Sequence, residues 1–333
     1  MADLQLSLMM SLNPRSEAVL NGSIQPEGID LACTIGHPSE IFWRQLKFAE
    51  FDVSEMSLSS LLVTIAGGNR EWIGLPIFTM RRFFHTWIWV RRDRIERPED
   101  LKGKKVGVPE YQQTAALWSR GVLQHEFGVA PEDMEWFMER TPDRSHGGAS
   151  GGVTGSGAPP GVRIHQIPPE NNIGSMLVSG ELDATLLYSS DVNLVDRSRV
   201  RLEDHPQLRL LFDPEAEARR YYAKTGLYPI NHGMVVRRSI VEKHPWVALN
   251  IFNAFRIAKE RSQVRLREMA ETYFQLGLLP LEAHQGLAED PYPYGAKSNK
   301  HVLETIAAYS HEQGLTPRKL DLSEVFAAPT LDL

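Results

Sequence analysis

The segment that most constrains the fold lies between residues 98 and 122. Pro98-Glu99-Asp100-Leu101-Lys102-Gly103 turns the chain into the strand Lys105–Val108, and Thr114 then caps a helix bearing Leu117, Trp118, Gly121 and Val122. Strand followed at once by helix is a pattern that the rest of the chain repeats. Leu4–Met10 reads as a strand, and Ile29, Leu31, Cys33 and Ile35 alternate as a second one. Pro38 opens a helix reaching Ala49. Residues 51–57 form a short strand with a polar end, and 57–66 a helix that Gly67-Gly68-Asn69 stops. Strands are expected at 71–78, 87–90 and 185–188. Ile173, Met176 and Leu177 make a helical face ending at Gly180. Past His244-Pro245, Ala248, Ile251, Phe252, Phe255 and Ala258 recur at helical spacing. This alternation predicts an α/β protein.

The 333 residues suffice for two domains and a sizeable core. Acidic residues outnumber basic ones by 42 to 36, which argues against a general nucleic-acid surface but leaves room for a local basic pocket. Cys33 is the one cysteine, so no disulfide closes within the chain and no thiolate zinc cluster forms. It reads as a small core residue on its strand. Residues 1–10 lack a basic start, and their apolar run is broken by Gln5 and Ser7. They read as a first strand, not a secretion signal, and the expected location is cytoplasmic. No apolar run approaches the ~20 residues of a membrane span. The glycine- and serine-rich stretch 141–161 reads as a flexible surface loop, with a lid over a pocket as the other reading.

Four places carry groups suited to chemistry. Arg81, Arg82 and His85 surround a strand boundary in Arg81-Arg82-Phe83-Phe84-His85; arginine matches a carboxylate, and histidine exchanges protons near neutrality. A solvated basic turn would look the same. Glu55 and Ser57 sit at the end of the strand 51–57, where open α/β sheets bind ligands, although Ser57 serves equally as a helix N-cap. Tyr111, Gln112 and Thr114 begin a helix whose free N–H groups favour an anion. His232, in Tyr228-Pro229-Ile230-Asn231-His232-Gly233, precedes an apolar strand where the chain is expected to recross between lobes. The other histidines show no metal spacing, and neither a His-Glu-x-x-His pair, a Gly-x-Ser-x-Gly elbow nor a Gly-x-Gly-x-x-Gly fingerprint occurs.

An ordered series of segments resembles the 4,5-dihydroxyphthalate decarboxylase family, itself similar to nitrate/sulfonate/taurine-type solute-binding proteins. The segments are Phe51-Asp52-Val53-Ser54-Glu55-Met56-Ser57, Arg81 to His85, Val106-Gly107-Val108-Pro109-Glu110-Tyr111-Gln112 and Pro229-Ile230-Asn231-His232. They continue with His244-Pro245-Trp246, Asp290-Pro291-Tyr292-Pro293-Tyr294-Gly295 and Tyr309-Ser310-His311-Glu312-Gln313. One departure stands out. The family run reads Arg-x-Phe-Arg-His; here Phe84 replaces the second arginine, and Arg82 stands two residues earlier.

The resemblance implies a periplasmic-binding-protein-like (type II) fold with an interlobe cleft, lobe one being 1–88 plus 231–333 and lobe two 89–230. It also implies decarboxylation of a hydroxylated aromatic acid with no cofactor; no metal-ligating residue is assigned, and whether a metal ion assists stays open. An acid must protonate the ring carbon that loses CO2. On this reading His85 or His232 is the donor and Glu55 orients it or accepts the phenol proton. Arg81, joined by Arg44, holds the retained carboxylate, while Phe84 belongs to an apolar wall near the leaving one. A small aromatic carboxylate is the expected partner, and a homo-oligomer stays open. The rival is a non-catalytic receptor for an aromatic acid, because fold does not dictate function.

Overall fold

A computed structural model describes residues 3–146 and 158–333. Two sheets organise it. The first has strand order β2-β1-β3-β11-β4, from β1 (Leu4–Met10), β2 (Ile29–Ile35), β3 (Val53–Ser57), β4 (Trp72–Arg81) and β11 (Ile230–Arg237). The second has order β10-β5-β9-β6-β7-β8, from β5 (Trp89–Arg91), β6 (Lys105–Val108), β7 (Glu135–Met138), β8 (Arg163–Gln166), β9 (Ala184–Thr185) and β10 (Leu208–Leu210). β1 lies parallel to β2 and β3, whereas β11 runs antiparallel between β3 and β4.

Helices cover these sheets. Those that matter here are α1 (Glu17–Leu20), α2 (Pro38–Phe48), α3 (Leu58–Ala66), α4 (Thr114–Phe127), α5 (Ile173–Ser179), α6 (Pro214–Thr225), α7 (Arg238–Lys243), α8 (Trp246–Gln275), α9 (Glu282–Ala288) and α10 (Lys300–Glu312). None of the described helices is long and apolar enough to cross a membrane. Ala248, Ile251, Phe252, Phe255 and Ala258 are all buried, as the helical spacing requires. Cys33 is half-buried on β2, where burial raises its thiol.

Three expected elements differ in extent. The strand at 71–78 continues to Arg81 because β11 pairs with it as far as Ile230↔Arg81. The strand at 87–90 starts later, since residues 84–87 coil into a 3-10 turn. The strand at 185–188 shrinks to Ala184–Thr185, since Leu187 takes a left-handed φ of 57°, which ends extended pairing. The chain leaves the first sheet through the 3-10 turn after β4 and returns between α6 and β11. His232 therefore lies inside a strand of the first sheet, not at the crossing.

One hydrophobic cluster draws on both sheets, and each sheet also has a cluster of its own. Trp118 on α4 donates its indole N–H to the Ile230 carbonyl on β11 at 2.9 Å, and its ring meets Tyr309 of α10 edge-on at 5.5 Å. Gly121 is needed at this crossing, because a Cβ there would run into the Tyr309 ring.

Candidate active site

Between the sheets lies a cleft of about 450 Å³, lined from the first-sheet side by Phe42, Ser57, Met80 and His232 and from the second by Trp89, Pro109, Arg140 and Tyr188. The ends of β3, β6 and β7 open onto it, as the rule for open α/β sheets leads one to expect.

Its central pair comes from neighbouring strands. His232 on β11 faces Ser57 across the β3 ladder, which brings its ring beside Glu55. His232 Nδ1 lies 2.8 Å from Glu55 Oε1. Glu55 is wholly buried and also accepts from Thr79 Oγ1 at 2.8 Å, Ser11 N at 2.8 Å and Ser11 Oγ at 2.6 Å. Burial pushes the carboxyl up, but the bond and charge of His232 and the two bonds from Ser11 outweigh it and hold Glu55 below its ordinary range. A carboxylate so held accepts Nδ1–H and leaves Nε2 for the cleft. Phe42 meets the imidazole edge-on at 4.7 Å and fixes its plane.

The opposite wall holds a network that sequence reasoning did not find. Arg140, just past β7, is 1% exposed and grips Asp196 through Nε–Oδ1 at 2.6 Å and Nη2–Oδ2 at 3.0 Å. Ser39, from the first lobe, donates to Asp196 at 3.0 Å and accepts from Arg140 at 2.9 Å, joining the lobes. Burial raises the Asp196 carboxyl, yet Arg140 overrides it and brings it down to about 2. Arg140 Nη1 meets His146 Nε2 at 2.5 Å. Because a guanidinium only donates, Nε2 accepts and the ring proton is on Nδ1. Burial, then the Arg140 charge, keeps His146 neutral, well below its ordinary range. The Nδ1–H makes no aligned hydrogen bond, although the Ser39 backbone lies near. Like His232, His146 packs edge-on against Phe42, at 5.4 Å. Arg140 follows a strand end, a signal available in the sequence. His146 opens the glycine- and serine-rich tract, whose composition hid it; residues 147–157, where most of the expected loop falls, lie outside the described residues.

The arginines sort differently from expectation. Arg82 lines the cleft, stacked 4.1 Å over the Trp87 ring and 5.3 Å from Phe84. Burial lowers its guanidinium, and the groups that offset this are the tyrosines Tyr228 and Tyr292, not a carboxylate. Arg81, expected as the clamp, points away. It is 5% exposed, bonds Asn299 and the carbonyls of Pro293 (2.9 Å) and Tyr228 (3.4 Å), and burial pushes it down to about 10. The reason is strand alternation, which sends adjacent residues to opposite faces. Arg44 lies outside the cleft lining, ion-paired with Glu50.

His85 is also away from the cleft lining. It is 1% exposed, 3.3 Å from Glu217 and edge-on to Tyr221 at 5.0 Å. Phe84 does line the cleft. Ser57 and Thr114 meet there, oxygen to oxygen at 2.8 Å. Gln113, not Thr114, is the N-cap of α4; Thr114 Oγ1 instead accepts from Ser59 N at 2.9 Å and caps α3 from the other lobe. Ser57 makes no side-chain cap of α3. Tyr111 is buried beneath Arg120, and the Gln112 carbonyl accepts from Ser59 Oγ; neither side chain lines the cleft.

No family model matches the chain. Among curated proteins, the 4,5-dihydroxyphthalate decarboxylase of Comamonas testosteroni is 33% identical over 339 aligned residues, covering 100% of this chain and 99% of its own. The 4,5-dihydroxyphthalate decarboxylase of Pseudomonas putida is 33% identical over 232 residues, 67% of this chain and 83% of its own. Among solved structures, the MOPS-bound alkanesulfonate-binding protein SsuA of Xanthomonas axonopodis pv. citri superposes with a TM-score of 0.55 at 16% identity over 99% of both chains. The periplasmic aliphatic sulphonate-binding protein SsuA of Escherichia coli gives 0.53 at 13% identity over 98% of both. The structural likeness shows a periplasmic-binding-protein-like α/β fold, as the segments around 51–57 and 98–114 imply.

Proposed function

Since this chain belongs to the 4,5-dihydroxyphthalate decarboxylase family, we propose that it is a carboxy-lyase that converts a dihydroxyphthalate to a dihydroxybenzoate and CO2. The observation that carries this reading is the Glu55–His232 pair, a buried carboxylate holding an imidazole on the cleft wall. Protonated His232 donates from Nε2 to the ring carbon bearing the leaving carboxylate. A phenolate para to that carbon supplies the electron pair for the new C–H bond. The C–COO⁻ bond then breaks, its pair restores the aromatic ring, and CO2 leaves. Glu55 is a positioning residue: its bond to Nδ1 fixes the ring with Nε2 toward the cleft.

Two further groups fit the remaining ends of such a substrate. Arg82, together with the free N–H groups of α4 behind Gln113, suits the carboxylate that stays. Phe84 and Trp89 wall the leaving carboxylate, which is better placed against apolar surface, because a cation there would stabilise the ground state and oppose departure. Arg82 takes the role that the sequence assigned to Arg81.

The test is turnover by the purified full-length chain. 4,5-Dihydroxyphthalate and hydroxylated mono- and dicarboxylates are supplied in turn, with CO2 release and aromatic products followed by chromatography. Stoichiometric CO2 and dihydroxybenzoate are expected. Tight binding of every acid without CO2 would replace this reading with the receptor.

A further inference from the structure

The decarboxylation leaves one charge without a protein partner. When the C–COO⁻ bond breaks, the ring regains its aromatic pair and the oxygen para to the departing group becomes a phenolate. A hydrogen-bond donor fixed at that oxygen lowers the barrier, because charge returns there as CO2 leaves. His232 is engaged at the ring carbon and Arg82 at the retained carboxylate. Much of the other polar chemistry in the cleft is spent on protein groups. Arg140 is bonded to Asp196, Ser39 and His146. Glu139 takes the amides of Ile173 (2.8 Å) and Arg197 (2.6 Å) and the Ser198 hydroxyl (2.7 Å). Tyr188 donates to the Val200 carbonyl at 2.6 Å.

His37 is not spent in this way. It stands before Pro38 at the start of α2 and lines the cleft, half-buried. Its side chain caps the helix: Nδ1 accepts the Ser39 amide at 3.3 Å. A nitrogen that accepts carries no proton, so the ring proton sits on Nε2, the atom turned away from the helix. Nε2 has no hydrogen-bond partner among the described residues. The orientation of the ring is tied to the meeting of the lobes, since Ser39 is itself bonded across the cleft to Asp196 (3.0 Å) and Arg140 (2.9 Å). An imidazole held as a donor polarises an oxygen without giving up its proton. Building on the decarboxylase reading, we propose that His37 is a second catalytic residue, whose Nε2–H donates a hydrogen bond to the phenolate oxygen para to the departing carboxylate. No proton leaves His37: the phenolic proton goes to solvent on binding, and the proton for the ring carbon comes from His232. His37 enters from the start of α2 and His232 from β11, which suits two groups serving opposite ends of one ring.

Two substitutions in the full chain separate this role from helix capping. His37→Ser keeps an oxygen to accept the Ser39 amide and removes the donor; His37→Gln keeps a donor of similar reach and gives up the favoured cap. His37→Ser should melt like wild type and lose roughly 10²–10³-fold in kcat, the loss of one oxyanion donor. His37→Gln should melt lower yet keep more turnover than His37→Ser. The reverse order, with His37→Ser turning over like wild type, would overturn the proposal. 4-Nitrocatechol gives a readout without turnover, because its phenolate absorbs visible light. At a pH where the free probe is mostly protonated, wild type should bind it as the phenolate and His37→Ser should not. An equal phenolate band in the two proteins, or binding to wild type only as the neutral phenol, would overturn the role of His37 even where CO2 is released. A phenolate band lost in His37→Ser, in a wild type that releases no CO2 from any acid, would keep the contact and remove the decarboxylase reading instead.

Discussion

Two buried histidine–carboxylate pairs occur among the described residues, and their surroundings separate them. His232 and Glu55 are 2.8 Å apart with the histidine side chain 13% exposed; His85 and Glu217 are 3.3 Å apart with the histidine 1% exposed. Glu55 receives hydroxyl and amide donors, whereas Glu217 is shared with Arg220 at 2.7 and 2.8 Å. The first pair therefore keeps a ring nitrogen available to the cleft. The second is closed in by Phe83, Phe212 and Tyr221. Pair chemistry is common to both, and access to the cleft distinguishes them.

The sharpest way to break this contrast is to remove one histidine at a time. His232→Gln should cut kcat by roughly 10²–10⁴, the contribution of a general acid. His85→Gln should leave kcat near wild type and lower stability by about 1–3 kcal/mol, the cost of a buried carboxylate losing a partner. Steady-state kinetics and urea melts on both variants check this. Equal loss of turnover in the two would return the donor to His85.

A smaller effect separates the two adjacent arginines. Arg82→Ala should raise KM roughly 10–100-fold with kcat far less affected, since a charge-assisted contact present in ground and transition states contributes about 1.5–3 kcal/mol. Arg81→Ala should instead lower the melting temperature, because it uncovers Asn299 and the Pro293 carbonyl. A KM change confined to Arg81→Ala would reverse their roles.

These contrasts also show what the chain discloses on reading. Strands, helices and the two-lobed fold were legible because hydrophobic periodicity and turn residues act locally. Ser57, Phe84 and His232, which line the cleft, and Glu55 behind His232 were legible because strand ends and short motifs mark them. Arg81 against Arg82 was not, since β4 runs on to Arg81, past the expected end at 78, and its alternation sets Met80 toward the cleft and Arg81 away from it. His85 against His232 needed tertiary packing, as did Arg140–Asp196, whose members lie 56 residues apart. His146 was hidden by the glycine and serine that follow it.

The smallest expected effect concerns two carboxylates that end on opposite sides of the ordinary range. Both are pushed up by burial. For Glu217 the Arg220 and His85 contacts prevail and bring it down to about 2, so its stabilisation is present above about 4.5 and is lost as pH falls toward about 2. For Glu110, wholly buried at the end of β6 and bonded to the His146 amide at 3.2 Å, burial prevails over Arg140 and Ser145 and raises it to about 7. The folded state then binds a proton more tightly than the unfolded chain. Stability linked to Glu110 is present below about 4.5 and is lost as pH rises through about 7. Glu110→Gln keeps the shape and removes the titration. The difference in unfolding free energy between wild type and this variant should therefore shift against wild type from pH 4.5 to 7, then level off. A constant difference across that range would mean that Glu110 is ionised in the folded protein and that Arg140 serves it as well as Asp196.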